Sequence, residues 1–234
     1  MKVVILAGGY GTRLAEYTHS IPKPMVKINN KPILLRIMNH YYKHGYKNFY
    51  IALGYKGKII KNFFKKYKRK EWKVNLIETG KKTMTGGRLK RLVKYLGNET
   101  FFMTYGDGIS DINLKKLLKF HKSNKKLVTL TAVRPPARFG YLKIKNKTVK
   151  YFKEKSNLDE GWINGGFFVI EPEFLKGIKN DKTYLEREPL ENIAKKKQLI
   201  AYKHFGFWHC MDTLRDKINL DKLLKLKKYK KKFD

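Results

Sequence analysis

The residues best suited to chemistry lie within the first 25 positions. Leu6-Ala7-Gly8-Gly9-Tyr10-Gly11-Thr12-Arg13-Leu14 follows the short apolar run Lys2-Val3-Val4-Ile5. Three glycines in four positions let the backbone turn sharply and come close to a ligand without Cβ clashes. Amides aimed inward from such a turn form a nest for phosphate oxygens. Thr12 adds a hydroxyl, and Arg13 brings a permanently charged fork that suits phosphate. The proline-punctuated segment Ile21-Pro22-Lys23-Pro24 then holds a second cation, Lys23, in a defined place. Together these residues read as a cradle for the polyphosphate of a nucleotide. The spacing excludes two commoner cradles: Leu14 stands where a dinucleotide fingerprint needs its third glycine, and no P-loop string occurs in the chain.

Two aspartates are the other candidates. Asp107 directly follows the apolar run Phe101–Tyr105 and sits between Gly106 and Gly108. A carboxylate at the carboxyl end of a strand in an open α/β sheet stands where ligands bind, although the same local sequence also suits a turn aspartate bonded to its own backbone. Asp212 follows Phe207-Trp208-His209-Cys210-Met211 and, read locally, is an N-cap for the terminal helix. The histidines at 40, 44, 121, 204 and 209 show no metal-ligand spacing and read as structural or surface residues.

Positioning these groups requires a sheet. Strands are expected over Lys2–Ala7, Asn48–Leu53, Val74–Glu78, Phe101–Tyr105 and Leu127–Val133. Between them, helices are expected over Pro32–His44, Lys58–Tyr67, Thr85–Leu96 and Leu114–Lys122, the last capped by Asn113. This alternation predicts a Rossmann-like α/β fold, three αβα layers around a mostly parallel mixed sheet. After Pro135-Pro136 the pattern changes. Tyr141–Lys155 alternates like short antiparallel strands, and Trp162–Ile170 reads as a longer strand interrupted by glycines. Helices follow at Pro172–Ile178 and Glu186–Lys197, then a strand at Leu199–Tyr202 and a final helix from Thr213. No composition break marks a linker, so residues 1–234 are expected to form one domain of two halves, 1–134 and 135–234, the second ending in a C-terminal helix.

Composition narrows the class. Apolar residues make up 42% of the 234, which suits a globular protein. No apolar run reaches membrane-spanning length. The amino terminus enters a strand without a signal-peptide pattern, and there is a single cysteine, Cys210; both point to the cytoplasm. The net charge of +35 invites a nucleic-acid reading. The excess is nearly all lysine spread from end to end, and the aromatics sit in apolar strands and helix faces. A solvated lysine surface therefore fits better than a nucleic-acid footprint, while its field still gathers anionic substrates in a salt-dependent way.

L-A-G-G-x-G-T-R-L followed by Lys23-Pro24-Met25 resembles the sugar-1-phosphate nucleotidylyltransferases, which have a glycosyltransferase-A-like fold. Four further strings make the chain most similar to the branch that transfers cytidylyl groups to glucose 1-phosphate. They are Met84-Thr85-Gly86-Gly87-Arg88-Leu89-Lys90-Arg91, Thr104-Tyr105-Gly106-Asp107-Gly108, Ile163-Asn164-Gly165-Gly166-Phe167-Phe168 and Met211-Asp212-Thr213-Leu214-Arg215-Asp216. The resemblance covers Met1 to about Leu224 and implies a nucleotide-binding half (1–134) and a sugar-binding half with the C-terminal helix (135–234). It implies that CTP and glucose 1-phosphate give CDP-glucose and pyrophosphate, for deoxysugar or surface-polysaccharide synthesis. It implies Mg²⁺ held by Asp107 and Asp212, nucleotide contacts from Leu6 to Arg13 and from Lys23, and base contacts from Thr83, Arg88 and Gly106. Lys155 would meet the sugar phosphate, and Glu154, Asn164, Gly165 and Gly166 would surround the sugar. A homo-oligomer is also implied, with no membrane or nucleic-acid partner. Two departures stand out: Ser156 follows Lys155 where the family has proline, and only Lys68-Arg69-Lys70-Glu71 joins the helix ending near Tyr67 to the strand near Trp72. UTP or dTTP as donor is the nearest competing chemistry. A glycosyltransferase of the same fold would not need Arg13 and Lys23 to stabilise a pyrophosphate leaving group.

Overall fold

The computed structural model describes residues 1–135, 140–154 and 161–233. Strand β1 (Lys2–Ala7) is buried at every position but Lys2, as its unbroken apolar run requires. Two short 3-10 turns, Thr12–Leu14 and Lys23–Met25, bracket helix α1 (Ala15–Thr18). The small pair β2 (Lys27–Ile28) and β3 (Lys31–Pro32) leads into α2 (Ile33–Lys43). The alternation continues through β4 (Asn48–Leu53), α3 (Gly57–Lys66), β5 (Lys73–Glu78), α4 (Thr85–Leu96) and β6 (Phe101–Tyr105). Next come β7 (Gly108–Ser110), α5 (Leu114–Asn124) and β8 (Val128–Val133). The hairpin β9 (Tyr141–Lys145) and β10 (Thr148–Lys153) precedes the long β11 (Ile163–Ile170). A 3-10 segment (Pro172–Gly177), α6 (Glu188–Lys195), β12 (Leu199–Lys203), β13 (Trp208–Cys210), α7 (Leu214–Lys225) and α8 (Lys227–Phe233) complete the chain.

Seven strands form one sheet in the order β12-β8-β11-β6-β1-β4-β5. β11 runs antiparallel to both neighbours, and the other contacts are parallel. The expected mostly parallel α/β sheet is therefore present, with strands from both halves of the chain sharing it. Each face is covered by its own apolar cluster. Val3, Ile5, Phe49, Ile51, Phe102 and Phe167 pack with α2 and α7 on one side, and Val4, Tyr50, Ala52, Met103 and Phe168 pack with α4 and α6 on the other.

Three expectations need correction. The helix expected at Pro172–Ile178 is a 3-10 segment ending at Gly177. The helix expected from Glu186 begins at Glu188, with Pro189 in its first turn, which leaves Glu186 in the preceding loop. The terminal helix breaks at Leu226, whose ψ of 134° is extended. Its N-cap is Thr213, in a reciprocal capping box with Asp216. Asp212 is thus not the cap and turns elsewhere.

Candidate active site

Both aspartates meet one ammonium. Lys23 Nζ donates to Asp107 Oδ2 at 2.7 Å and to Asp212 Oδ1 at 2.6 Å, and Arg13 Nη1 donates to Asp212 Oδ2 at 2.8 Å. Local structure explains the convergence. Asp107 leaves the carboxyl end of β6, and the antiparallel ladder of β7 and β13 brings Asp212 beside it, with the Met211 amide donating to the Asp107 carbonyl at 2.9 Å. Pro22 and Pro24 flank Lys23 in its 3-10 turn, and the lysine is only 8% exposed. Burial alone would lower its proton affinity. The carboxylates of Asp107 and Asp212 outweigh that, so the pKa is raised and the ammonium is held charged.

The glycine loop is shaped partly from below. Arg88, on the first turns of α4, is 4% exposed. Its guanidinium donates to the carbonyls of Gly8 (2.8 Å), Leu53 (3.1 Å) and Gly80 (2.7 Å) and to the Thr79 hydroxyl (2.8 Å). A Cβ at Gly8 would stand 2.2 Å from Arg88 Nη1, so glycine is required there by the arginine beneath it. Gly11 is required for a different reason: its φ of +67° is left-handed, and it starts the 3-10 turn that carries Arg13. Burial lowers the Arg88 pKa from its ordinary value, and Arg91 acts in the same direction. Replacing Arg88 with Met removes four hydrogen bonds, each worth about 1 kcal/mol, although the Gly8 and Leu53 carbonyls keep the Tyr55 and Thr79 amides as donors. The melting temperature should fall by on the order of 10 °C, measured by circular dichroism.

The loop and the acidic pair open onto one cavity of about 650 Å³. Leu6, Ala7, Gly8, Gly9, Tyr10, Gly11, Thr12, Arg13 and Lys23 line it. Thr83, Arg88, Gly106, Asn164, Gly165 and Gly166 share that lining with Asp107 and Asp212. Glu154 is different: it follows β10, is exposed, and is not part of this lining. Lys155 lies outside the described residues. The sequence reading missed Tyr105, Tyr184, Glu186 and Trp208 as lining groups. Trp208 Nε1 donates to the Gly165 carbonyl at 2.7 Å and so fixes the glycine strand. Cys210 also lines the cavity, but burial, then Asp212 and Asp107, push its thiol up to about 12, so it stays protonated.

Among the described residues, no three His, Cys, Asp or Glu side chains gather into a metal cage. A pair of carboxylates is nonetheless a suitable donor set for Mg²⁺, which fills its octahedron with phosphate oxygens and water. Asp107 and Asp212 fit that requirement because their oxygens already share one cation.

A cationic glycine loop facing two aspartates across a strand end is a site for nucleotides, and a family model described as nucleotidyl transferase matches residues 2–206. The chain belongs to the nucleotidyl transferase family. Among its relatives, the glucose-1-phosphate cytidylyltransferase of Salmonella typhimurium is 48% identical over 95% of each chain. Mannose-1-phosphate guanylyltransferase 1 of Arabidopsis thaliana is 34% identical over 93% of this chain and 63% of its own. Among solved structures, HddC from Yersinia pseudotuberculosis complexed with GMP-PN superposes with a TM-score of 0.76 at 28% identity, covering 95% of this chain and 99% of that one. A UDP-glucose pyrophosphorylase complexed with UDP-glucose shares the fold, with a TM-score of 0.72 at 20% identity over 98% of each chain.

Proposed function

We propose that this nucleotidyl transferase joins CTP and glucose 1-phosphate into CDP-glucose, releasing pyrophosphate. The observation that carries the reading is the meeting of Arg13, Lys23, Asp107 and Asp212 in a cavity that Asn164 also lines. The similarity to the Salmonella cytidylyltransferase supports the choice of base and sugar. A phosphate oxygen of the sugar phosphate attacks the α-phosphorus; the bond to the bridging oxygen breaks, and its electron pair leaves with pyrophosphate. The nucleophile's second pKa is about 6, so it is mostly ionised at neutral pH and needs no general base. The protonated Cys210 thiol is accordingly a bystander. Arg13 holds the β- and γ-phosphates, Lys23 lies against the α-phosphate, and Lys155 meets the sugar phosphate. Asp107 and Asp212 hold Mg²⁺, which supplies charge neutralisation at the phosphate oxygens. Thr83, Arg88 and the Gly106 backbone face cytosine, which needs donors to its O2 and N3 and an acceptor for its amine. Asn164, Gly165 and Gly166 surround the hexose. The work of the site is to bring two polyanions together and to stabilise the charge that develops.

Melting with each nucleoside triphosphate plus Mg²⁺ tests the base assignment. CTP at about 100 times its Kd should add roughly 2.7 kcal/mol, which for this size is on the order of 5–10 °C. Equal shifts with UTP, dTTP or GTP would remove the cytidylyl reading.

We further infer a homo-oligomer working in the cytoplasm. The β9–β10 hairpin exposes Leu142 (46%), Ile144 (60%), Val149 (50%) and Phe152 (63%), apolar surface of the kind that subunit contacts bury. Light scattering after size exclusion should give a multiple of 27.7 kDa, and a lone protomer at micromolar concentration would contradict the assembly. No helix among the described residues is long and apolar enough to cross a membrane.

A further inference from the structure

The cavity is electrically polar along its length. Arg13 and Lys23 meet the two aspartates, Lys81, Lys82 and Arg88 also line it, and among the described lining residues the one other carboxylate is Glu186. Glu186 is held from two sides, since Tyr105 Oη donates to Oε1 at 2.7 Å and Thr85 Oγ1 donates to Oε2 at 2.6 Å. The Tyr105 ring is itself fixed. It packs edge-on against Phe168 at 5.9 Å and lies flush with the backbone of Gly166, where a Cβ would approach Tyr105 Cδ2 to 2.7 Å. Asn164 completes the row: its Oδ1 accepts from the Gly166 amide at 2.9 Å, which turns its Nδ2 toward the phenol oxygen, 3.5 Å away.

We propose that Glu186 is a positioning residue for the sugar: by accepting the Tyr105 hydroxyl's hydrogen bond it leaves the phenol oxygen with acceptor capacity only, making this wall an acceptor of hexose hydroxyls. Asn164 Nδ2, at 3.5 Å, makes only a long contact to that oxygen and leaves it able to accept from a ligand. Donor groups of the ligand are drawn to it, and a phosphate is repelled by the neighbouring carboxylate. The hydroxyl face of a sugar phosphate is thereby turned to Glu186 and Tyr105, and its phosphate is turned to the cations. The proposal rests on a hexose 1-phosphate being the acceptor substrate, as inferred above.

Steady-state kinetics on the full chain test it. Glu186→Ala should raise the KM for glucose 1-phosphate roughly 10- to 100-fold, the loss of a charge-assisted hydrogen-bond chain. The KM for CTP should stay within about twofold, because the contact is confined to the sugar end. Glu186→Gln, whose amide oxygen still accepts the phenol proton, should recover most of the loss. Tyr105→Phe should match Glu186→Ala, and the double variant should be no worse than either alone, since both remove one chain. An unchanged sugar-phosphate KM in Glu186→Ala and Tyr105→Phe overturns the proposal, as does an equal rise in the KM for CTP. Should Glu186→Ala melt well below the parent, Tyr105→Phe decides alone. If the unaltered protein makes no nucleotide sugar from CTP, the functional reading fails by itself. Calorimetric binding of glucose 1-phosphate to the same variants then supports or overturns the role of Glu186.

Discussion

Asp107→Asn and Asp212→Asn should each lower kcat by about 10²–10³-fold, the scale seen when one preorganised electrostatic group is removed from a developing charge. The carboxylates hold Lys23 at 2.7 and 2.6 Å, and an asparagine there keeps the shape while removing the anion proposed to bind a divalent cation. The pair stands at the cavity wall outside the apolar clusters that support the sheet, so both variants should melt within a few degrees of the parent. Pyrophosphate release, followed with and without EDTA, gives the readout. Full turnover in either variant, or in EDTA, would eliminate the two-aspartate metal site.

Lys23→Met has the other large expected effect, and it has two opposing readouts. Turnover should fall by on the order of 10²-fold, since the α-phosphate loses its cation. Metal affinity of the nucleotide-free protein should rise. Lys23 occupies both aspartates and Arg13 takes the remaining oxygen of Asp212, so the site is neutralised from within. At an effective dielectric constant of 20, a unit charge 4 Å away is worth about 4 kcal/mol. Solvent weakens that here, because the aspartates are 28% and 20% exposed. A gain of roughly tenfold in Mn²⁺ affinity is therefore expected, measured by electron paramagnetic resonance without nucleotide. In the parent protein the ion should bind well only together with CTP, whose phosphates replace the carboxylates around Lys23. Equal Mn²⁺ binding by the parent and by Lys23→Met would refute this competition.

Much of this was legible in the chain because local pattern and long-range structure agree. β1, β4, β6 and α4 have the bounds that their apolar runs and glycines suggested, and Asp107 follows β6 as expected. Asp212 was different, because its neighbours suited a helix cap. Only the three-residue ladder of β7 and β13, too short to leave a period, shows why Thr213 caps and Asp212 turns inward. Arg88 carried no local sign of its burial, since its acceptors at Gly8 and Leu53 lie 80 and 35 residues away. Glu186 was hidden for the same reason. Its partners Tyr105 and Thr85 belong to other elements, and its own segment read as the start of a helix.

The β7–β13 ladder has a consequence for the order in which the molecule becomes competent during synthesis. All seven strands of the large sheet are complete by Lys203, yet the second carboxylate arrives only after Trp208–Cys210 has zipped against Gly108–Ser110. A nascent chain that holds every strand of that sheet therefore still lacks one of the two carboxylates that meet at Lys23.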